Sequence, residues 1–131
     1  MKIKKILETS LYVDDLEKAE KFYTEILNFE KIDETPGRNI FLRCGDSVLI
    51  LFNPEKTKIS GGVVPVHGSV GQGHIAFGIP NEEFPYWSDR LKQNGVSIEK
   101  EVSWEENIQS IYFRDPSGNS LEFISEDSYK S

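Results

Sequence analysis

Hydrophobic and polar positions follow the same order twice along the chain. Each half begins with a run in which apolar and polar residues alternate, continues with apolar residues at steps of three and four, and closes with further alternating runs. Alternation is typical of a strand with one buried face, whereas steps of three and four are typical of an amphipathic helix. The first half reads ILETSLYV, DDLEKAEKFYTEILNFE, NIFLRC and SVLILF, and the second reads GHIAFGIP, NEEFPYWSDRLKQNG, QSIYFRD and NSLEFIS.

This repeat predicts an α+β fold built from two paired β-α-β-β-β modules. The order requires one short extra strand in each half, which we place near residues 29–33 and 96–101. The first helix should begin with a capping box made by Asp14 and Glu17. The second helix should run from about Glu82 to Asn94, because a glycine follows and glycine commonly ends a helix.

The positions of the two modules predict the organisation of the chain. We expect one domain over residues 1–131, with module 1 at about 5–53, a linker at about 54–72, module 2 at about 73–125 and a C-terminal tail at 126–131. The linker is rich in glycine and shows little periodicity, so we predict neither helix nor strand there. A connection of this length usually has a function, such as covering a site as a lid.

The composition narrows the classes of partner. A net charge of -7 and a pI near 4.9 repel polyanions, so we expect no nucleic-acid partner. No apolar run approaches the roughly 20 residues needed to cross a bilayer, and MKIKKILETS lacks the apolar core of a signal peptide. We therefore expect a cytoplasmic protein without a membrane partner. The single cysteine, Cys44, fits a reducing compartment.

Strand alternation places chemically active residues on one face of each module. If the apolar set that includes Leu7 lies under the first helix, Glu8 must point to the opposite face, and the same reasoning applies to His74 and to Glu122. Ile50 is the counterpart of Glu122 in the first half. A pseudo-twofold pairing of the modules would bring these four positions towards one centre.

Three of those four side chains can bind a metal ion. A carboxylate on an apolar face costs several kcal/mol unless it is paired or coordinated, so two carboxylates beside an imidazole suit a divalent ion. The spacing also allows a purely structural interpretation. In that interpretation Glu8 lies at an exposed edge, His74 is a hydrogen-bonded strand residue and Glu122 pairs with Arg114.

Three segments carry a resemblance to a known family. The phrases LYVDDLEKAEKFYTEIL, GHIAF and IYFRDPSGNSLEFI resemble the vicinal oxygen chelate superfamily of glyoxalases, extradiol dioxygenases, fosfomycin-resistance transferases and bleomycin-binding proteins. The resemblance extends from about Ile6 to Ile124, and the DPSGN turn followed by a glutamate is its most specific part. It implies a cupped mixed sheet whose metal ligands are Glu8, His74 and Glu122.

Two positions depart from the family pattern. The fosfomycin transferases and extradiol dioxygenases usually have His where this chain has Glu8. Glyoxalase I has a fourth protein ligand where this chain has Ile50. The resemblance therefore implies a site with three protein ligands and more room for a substrate than glyoxalase I has.

The resemblance and the candidate ligands together predict a metal-dependent enzyme, either a glyoxalase-like lyase or isomerase or a dioxygenase, acting on a small oxygen-rich substrate. Because the ligand set is rich in oxygen, Mn, Fe, Co, Ni and Zn are all candidates for the divalent metal. One alternative is a metal-free drug-binding protein of the bleomycin-resistance kind. Another is a fosfomycin-type transferase with a thiol co-substrate, against which the lack of a basic C-terminal stretch argues.

Further candidates surround the proposed metal. Tyr112 shares the face of Glu122 and either binds a substrate oxygen or only packs, while His67 in the linker is either an acid-base residue or simply solvated. We count these two with Glu122 as the catalytic set. Trp104 either caps the cup or lies at a subunit contact. The candidate substrate-binding residues are Ser10, Tyr12, Ile50, Phe52 and Arg114.

The long linker also bears on assembly. It would allow the modules of one chain to pair either with each other or with those of a second copy, and we expect a homodimer. The sequence leaves two alternatives for the site: it forms within one chain, or, if modules are exchanged between subunits, Glu8 comes from one subunit and His74 with Glu122 from the other.

Overall fold

A computed structural model describes residues 1–130, which form two compact units, residues 1–72 and residues 73–130. Each unit contains one four-stranded mixed sheet and a helical segment between its first two strands. The α+β class and the β-α-β-β-β order of both modules are therefore confirmed. Among the described residues, no helix combines the length and the apolar character that crossing a membrane requires.

The sheet of the first unit has the strand order β1-β4-β3-β2. Strand β1 pairs with β4 in parallel, and the other neighbours are antiparallel. The extra strand predicted near residues 29–33 is present as β2. The strands are β1 (Glu8–Tyr12), β2 (Glu30–Thr35), β3 (Asn39–Cys44) and β4 (Ser47–Phe52).

The sheet of the second unit repeats this arrangement in the order β5-β8-β7-β6, again with only the first pair parallel. The extra strand predicted at residues 96–101 begins at Lys100 instead. The preceding residues close the helix, because Val96 donates its N–H to the Leu91 carbonyl at 2.8 Å. The strands are β5 (His74–Ile79), β6 (Lys100–Glu105), β7 (Ile108–Arg114) and β8 (Ser120–Ser125).

Helix α1 (Leu16–Lys21) begins one residue later than its predicted cap. The side chain of Asp15, not Asp14, accepts the N–H of Lys18 at 3.0 Å. Lys18 therefore occupies the place at which a capping box needs Glu or Gln, and the predicted capping box was wrong. The helix continues as a π-helical turn over Phe22–Ile26, which the apolar periodicity did not reveal.

We had predicted neither helix nor strand in the linker, but it contains one short helix. Asn53 caps a short helix α2 (Pro54–Thr57), because its side chain accepts the N–H of Glu55 at 3.0 Å and Pro54 favours a first helical turn. In the second unit, a 3₁₀ turn (Asn81–Glu83) leads into α3 (Phe84–Gln93), close to the predicted range.

Each unit buries one face of its sheet under its own helix. In the first unit the buried side chains include Leu11, Val13 and Tyr23. Leu7 was expected in this core but is 64% exposed, because β1 begins only at the next residue. In the second unit Leu121 and Phe123 are buried, and the Phe123 ring contacts that of Trp87 on α3 with centroids 5.2 Å apart. The opposite sheet faces remain available for a site.

Candidate functional site

Strand register relates the candidate residues of the two units. Glu8 pairs with Val48, two residues before Ile50, and His74 pairs with Ser120, two residues before Glu122. Glu8 and His74 therefore occupy the same place in the repeat, as do Ile50 and Glu122. This confirms the equivalence that the sequence repeat predicted.

In the second unit, His74 and Glu122 face each other on neighbouring strands. The His74 Nε2 atom lies 3.4 Å from Glu122 Oε1, and the two side chains are 53% and 8% exposed. The other ring nitrogen of His74, Nδ1, is 3.0 Å from the Ser120 carbonyl oxygen. Because a carbonyl can only accept, Nδ1 carries the proton, and in a neutral imidazole Nε2 then has a free lone pair.

The second carboxylate oxygen of Glu122 is held by a residue that sequence reasoning missed. Ser110 Oγ donates to Glu122 Oε2 at 2.5 Å and accepts the indole N–H of Trp104 at 2.9 Å. Ser110 is 1% exposed. Its place two residues before Tyr112 on β7 was the only signal in the sequence, since alternation puts both on one face. Trp104 therefore supports the carboxylate through Ser110.

Tyr112 lies beside the same pair. It is opposite Glu122 in the strand register, and its ring stacks on the His74 ring with centroids 6.4 Å apart. Desolvation raises the pKa of the Tyr112 phenol, and its hydrogen bond to the Glu122 carboxylate raises that pKa further. The phenol therefore stays protonated at neutral pH and can donate a hydrogen bond.

The strand that begins with His74 is positioned by the DPSGN turn. Asp115 is buried and accepts the backbone N–H groups of Ser117 and Asn119 at 3.0 and 2.9 Å. The side-chain oxygen of Asn119 in turn accepts the N–H of Gly73 at 2.7 Å. Because Gly73 precedes His74 and Ser120 follows Asn119, the turn fixes both the backbone and the ring orientation of the histidine.

Arg114 is engaged by its own neighbours. Its guanidinium forms a salt bridge with Glu99 at 3.2 Å and donates to the Gly118 carbonyl oxygen at 3.0 Å. The structural alternative had paired Arg114 with Glu122, whereas its salt bridge is with Glu99. A role for Arg114 in substrate binding remains a prediction.

The first unit has an open pocket of about 470 Å³ on the corresponding face of its sheet. Glu8, Ile50 and Phe52 line it together with His67 from the linker. Ser10 is exposed on β1 and is paired with Ile50 in the strand register.

His67 is not simply solvated, contrary to one of the two interpretations of the sequence. Its Nδ1 atom lies 2.7 Å from the Tyr12 hydroxyl, and its ring packs edge-on against Phe52 with centroids 4.6 Å apart. Its backbone N–H also donates to the Thr57 carbonyl at 3.0 Å. The linker is thereby attached to β1 and β4 within the first unit.

The residues of the second unit fit two positions of a metal site. An imidazole nitrogen with a fixed tautomer and a carboxylate with one oxygen held by Ser110 are common ligands of divalent transition metals. Over residues 1–130, neither unit by itself assembles three or more His, Cys, Asp or Glu side chains around one point. Glu8, the third candidate ligand, belongs to the first unit.

Comparisons with known proteins agree with this picture. The family model for the Glyoxalase/Bleomycin resistance protein/Dioxygenase superfamily matches residues 5–123. The chain is 34% identical to glutathione transferase FosA of Serratia marcescens over 86% of its own length and 74% of that protein. It is 32% identical to metallothiol transferase FosB of Staphylococcus epidermidis over 93% of its own length and 82% of that protein.

A solved structure extends the likeness to the whole chain. The crystal structure of lactoylglutathione lyase from Agrobacterium tumefaciens matches with a TM-score of 0.93 at 34% identity, and the match covers 98% of each chain. The names of all three proteins refer to a thiol or to a glutathione compound.

Proposed function

Because the chain belongs to the Glyoxalase/Bleomycin resistance protein/Dioxygenase superfamily, we propose that it is an enzyme that uses a divalent metal held by Glu8, His74 and Glu122. Its substrate would be a small molecule that approaches the metal through oxygen atoms. The observation that carries this proposal is the His74–Glu122 pair, in which the imidazole tautomer and the carboxylate are both fixed by neighbours. Such fixing is typical of metal ligands.

The proposed chemistry divides between the metal and the chain. A bound divalent ion would polarise a substrate oxygen and stabilise negative charge on it. Tyr112 would donate a hydrogen bond to a substrate oxygen, because its phenol remains protonated at neutral pH. His67, which is oriented by the Tyr12 hydroxyl, would transfer a proton as a general acid or base.

Two reaction classes remain under this proposal. A glyoxalase-like lyase or isomerase is supported by the likeness to lactoylglutathione lyase. Transfer of a thiol is supported by the identity to FosA and FosB, and it also suits Ile50, which adds no ligand at the position equivalent to Glu122. In both classes the substrate would contain a thiol-derived group or react with a thiol. A dioxygenase reaction has no comparable support.

Metal binding can be tested directly. We would measure the metal content of the purified protein and titrate Mn, Fe, Co, Ni and Zn ions against its melting temperature. A metal at 100 times its dissociation constant stabilises the folded state by about 2.7 kcal/mol. Glu8→Gln, His74→Gln and Glu122→Gln should each reduce metal content and this stabilisation, with metal-free melting curves confirming that each variant folds.

A matched control is Glu82→Gln, which changes an exposed carboxylate in the 3₁₀ turn of the second unit. This control should behave as the unmodified protein does. If Glu122→Gln retained the metal and the full stabilisation, the proposed coordination would be incorrect.

The reaction class requires a substrate panel. The adduct of methylglyoxal with glutathione tests the lyase, fosfomycin with several thiols tests the transferase, and catechols test the dioxygenase. Bleomycin binding by metal-stripped protein tests the metal-free alternative. Undiminished tight binding of bleomycin after metal removal, with no turnover of any panel member, would replace the enzyme proposal with a drug-binding function.

Assembly is part of the same proposal. We propose a homodimer whose subunits exchange modules and share ligands. Mixing the Glu8→Gln variant with the His74→Gln variant tests this. If each site takes ligands from both subunits, one site of a mixed dimer has both substitutions and the other site has neither. Metal binding should then recover in part in the mixture, whereas a site formed within one chain would show no recovery.

A further inference from the structure

The pocket of the first unit combines an apolar floor with opposite charges. Phe41, Ile50 and Phe52 of β3 and β4 line it, and residues 64–67 of the linker form part of its wall. Glu8 of β1 and Arg38, which immediately precedes β3, also line it. A pocket of this kind matches a ligand that has an apolar part and at least one charged group.

Arg38 has unused capacity for hydrogen bonding. It is half-buried, and its Nη1 atom donates to the Lys56 carbonyl oxygen at the long distance of 3.4 Å. Within residues 1–130 it forms no salt bridge with a carboxylate. A guanidinium has five N–H donors, so most of its donors are free to bind an anion.

The Arg38 guanidinium is unusual because the chain has more acidic than basic residues and yet Arg38 has no carboxylate partner within residues 1–130. The protein has 22 acidic and 15 basic residues, and several basic side chains are paired with carboxylates, as Lys31 is with Glu20 and Glu34. Arg38 instead lies beside apolar side chains, where an ion pair with a ligand is screened less than it is in open water.

Strand register separates the two charges of the pocket. Glu8 is level with Val48 on β4, while Asn39, the neighbour of Arg38, is level with Phe52. Four residues of strand correspond to roughly 13 Å. A ligand anion at Arg38 would therefore lie far enough from the Glu8 carboxylate for repulsion between them to be weak.

We propose that this pocket binds the anionic end of the substrate, a carboxylate or phosphonate carried on a partly apolar skeleton, with Arg38 as the residue that selects for the negative charge. The ligand extends over Phe41, Ile50 and Phe52 towards Glu8. The orientation towards Glu8 rests on the proposed function, in which Glu8 is a metal ligand, whereas binding of the anion by Arg38 needs no metal.

The test uses the full chain after metal removal and three small probes of similar shape. Phenylphosphonate and phenylacetate carry the two candidate anions, and 2-phenylethanol is their neutral analogue. Binding is measured by two-dimensional NMR titration, which reports both affinity and location. The anionic probes should shift resonances of Phe41, Ile50 and Phe52, and they should bind more tightly than the alcohol.

The variants isolate the charge of Arg38. Arg38→Gln should lower the affinity for the anionic probes by about tenfold, because a charge-assisted hydrogen bond is lost. The affinity for 2-phenylethanol should be unchanged. Arg38→Lys should restore part of the lost affinity. Arg43→Gln is the matched control, because Arg43 is an exposed arginine on β3 of the same sheet and does not line the pocket.

The results separate this inference from the metal proposal. Equal affinity of anionic and neutral probes, an Arg38→Gln variant that binds anions as before, or shifts confined to other surfaces would overturn the inference. Failure of all three probes to bind would overturn it as well. The relative affinities of phosphonate and carboxylate identify the preferred anion. A failure of the metal proposal would appear only in the metal titrations and would leave these outcomes unchanged.

Discussion

Replacing Ser110 with alanine removes one hydroxyl that serves two partners. The hydroxyl donates to the Glu122 carboxylate and accepts the Trp104 indole N–H. The Glu122 side chain is only 8% exposed, so water cannot fully replace the lost donor. Trp104 is 57% exposed, so its N–H can find water instead. The change in stability should therefore come mainly from the carboxylate.

The magnitude follows from these contacts. A hydrogen bond to a charged group contributes about 1.5–3 kcal/mol, so we expect Ser110→Ala to lower the free energy of unfolding by about 2 kcal/mol. For 131 residues the entropy of unfolding is roughly 275 cal/mol/K, and the melting temperature should fall by about 7 °C. Trp104→Phe should lower it by less, because that change removes only the outer hydrogen bond.

The assay is urea unfolding of metal-free protein, followed by circular dichroism. The midpoint should fall while the slope stays constant, since the surface exposed on unfolding is unchanged. Ser103→Ala provides the control, because Ser103 is an exposed serine on β6. If Ser110→Ala and Ser103→Ala had the same midpoint, Ser110 would not support the carboxylate. A second readout is metal affinity, which should fall about tenfold when a ligand loses its supporting contact.

Two further predictions concern side chains around the proposed site. The raised pKa of Tyr112 means that its protonated form contributes stability that is complete below pH about 10 and is lost as the pH rises through the folded-state value. Compared with the unmodified protein, Tyr112→Phe should accordingly lack tyrosinate absorbance that develops above pH about 10. If the absorbance missing from the variant instead developed below that pH, the raised pKa would be contradicted. Tyr12→Phe removes the hydroxyl that contacts His67, so proteases should cleave residues 58–66 faster than they do in the control Tyr86→Phe. Equal cleavage rates would show that this contact does not hold the linker.

Much of the fold and part of the site followed from the sequence because they depend on local periodicity. Alternation along β8 was sufficient to place Glu122 on the face away from α3, and comparison of the halves was sufficient to match it with Ile50. The start of α1 was misplaced by one residue because Asp14 and Asp15 are both good capping residues. Local pattern does not decide which of two adjacent aspartates adopts the cap geometry.

Contacts between distant residues could not be predicted in this way. The hydrogen bond between Tyr12 and His67 joins residues 55 positions apart, and it depends on the path of a linker without periodicity. The support of Glu122 by Ser110 and Trp104 depends on the irregular register between β6 and β7. Arg38 could not be predicted as a binding residue, because a single arginine before a strand is common and folding is what brings Arg38, Ile50 and Phe52 to one pocket.

The shared register of the two sheets bears on how such a protein can diversify. Ile50 and Glu122 occupy equivalent positions in the two modules, and so do Phe41 and Tyr112, because Phe41 pairs with Ile50 as Tyr112 pairs with Glu122. A side chain can therefore change in one copy while the backbone that presents it stays as it was. Here the first module has Phe41 and Ile50 at these positions, and the second has Tyr112 and Glu122. Under the proposed function, this independence would let substrate selectivity change in the first module while the candidate metal ligands of the second stay in place.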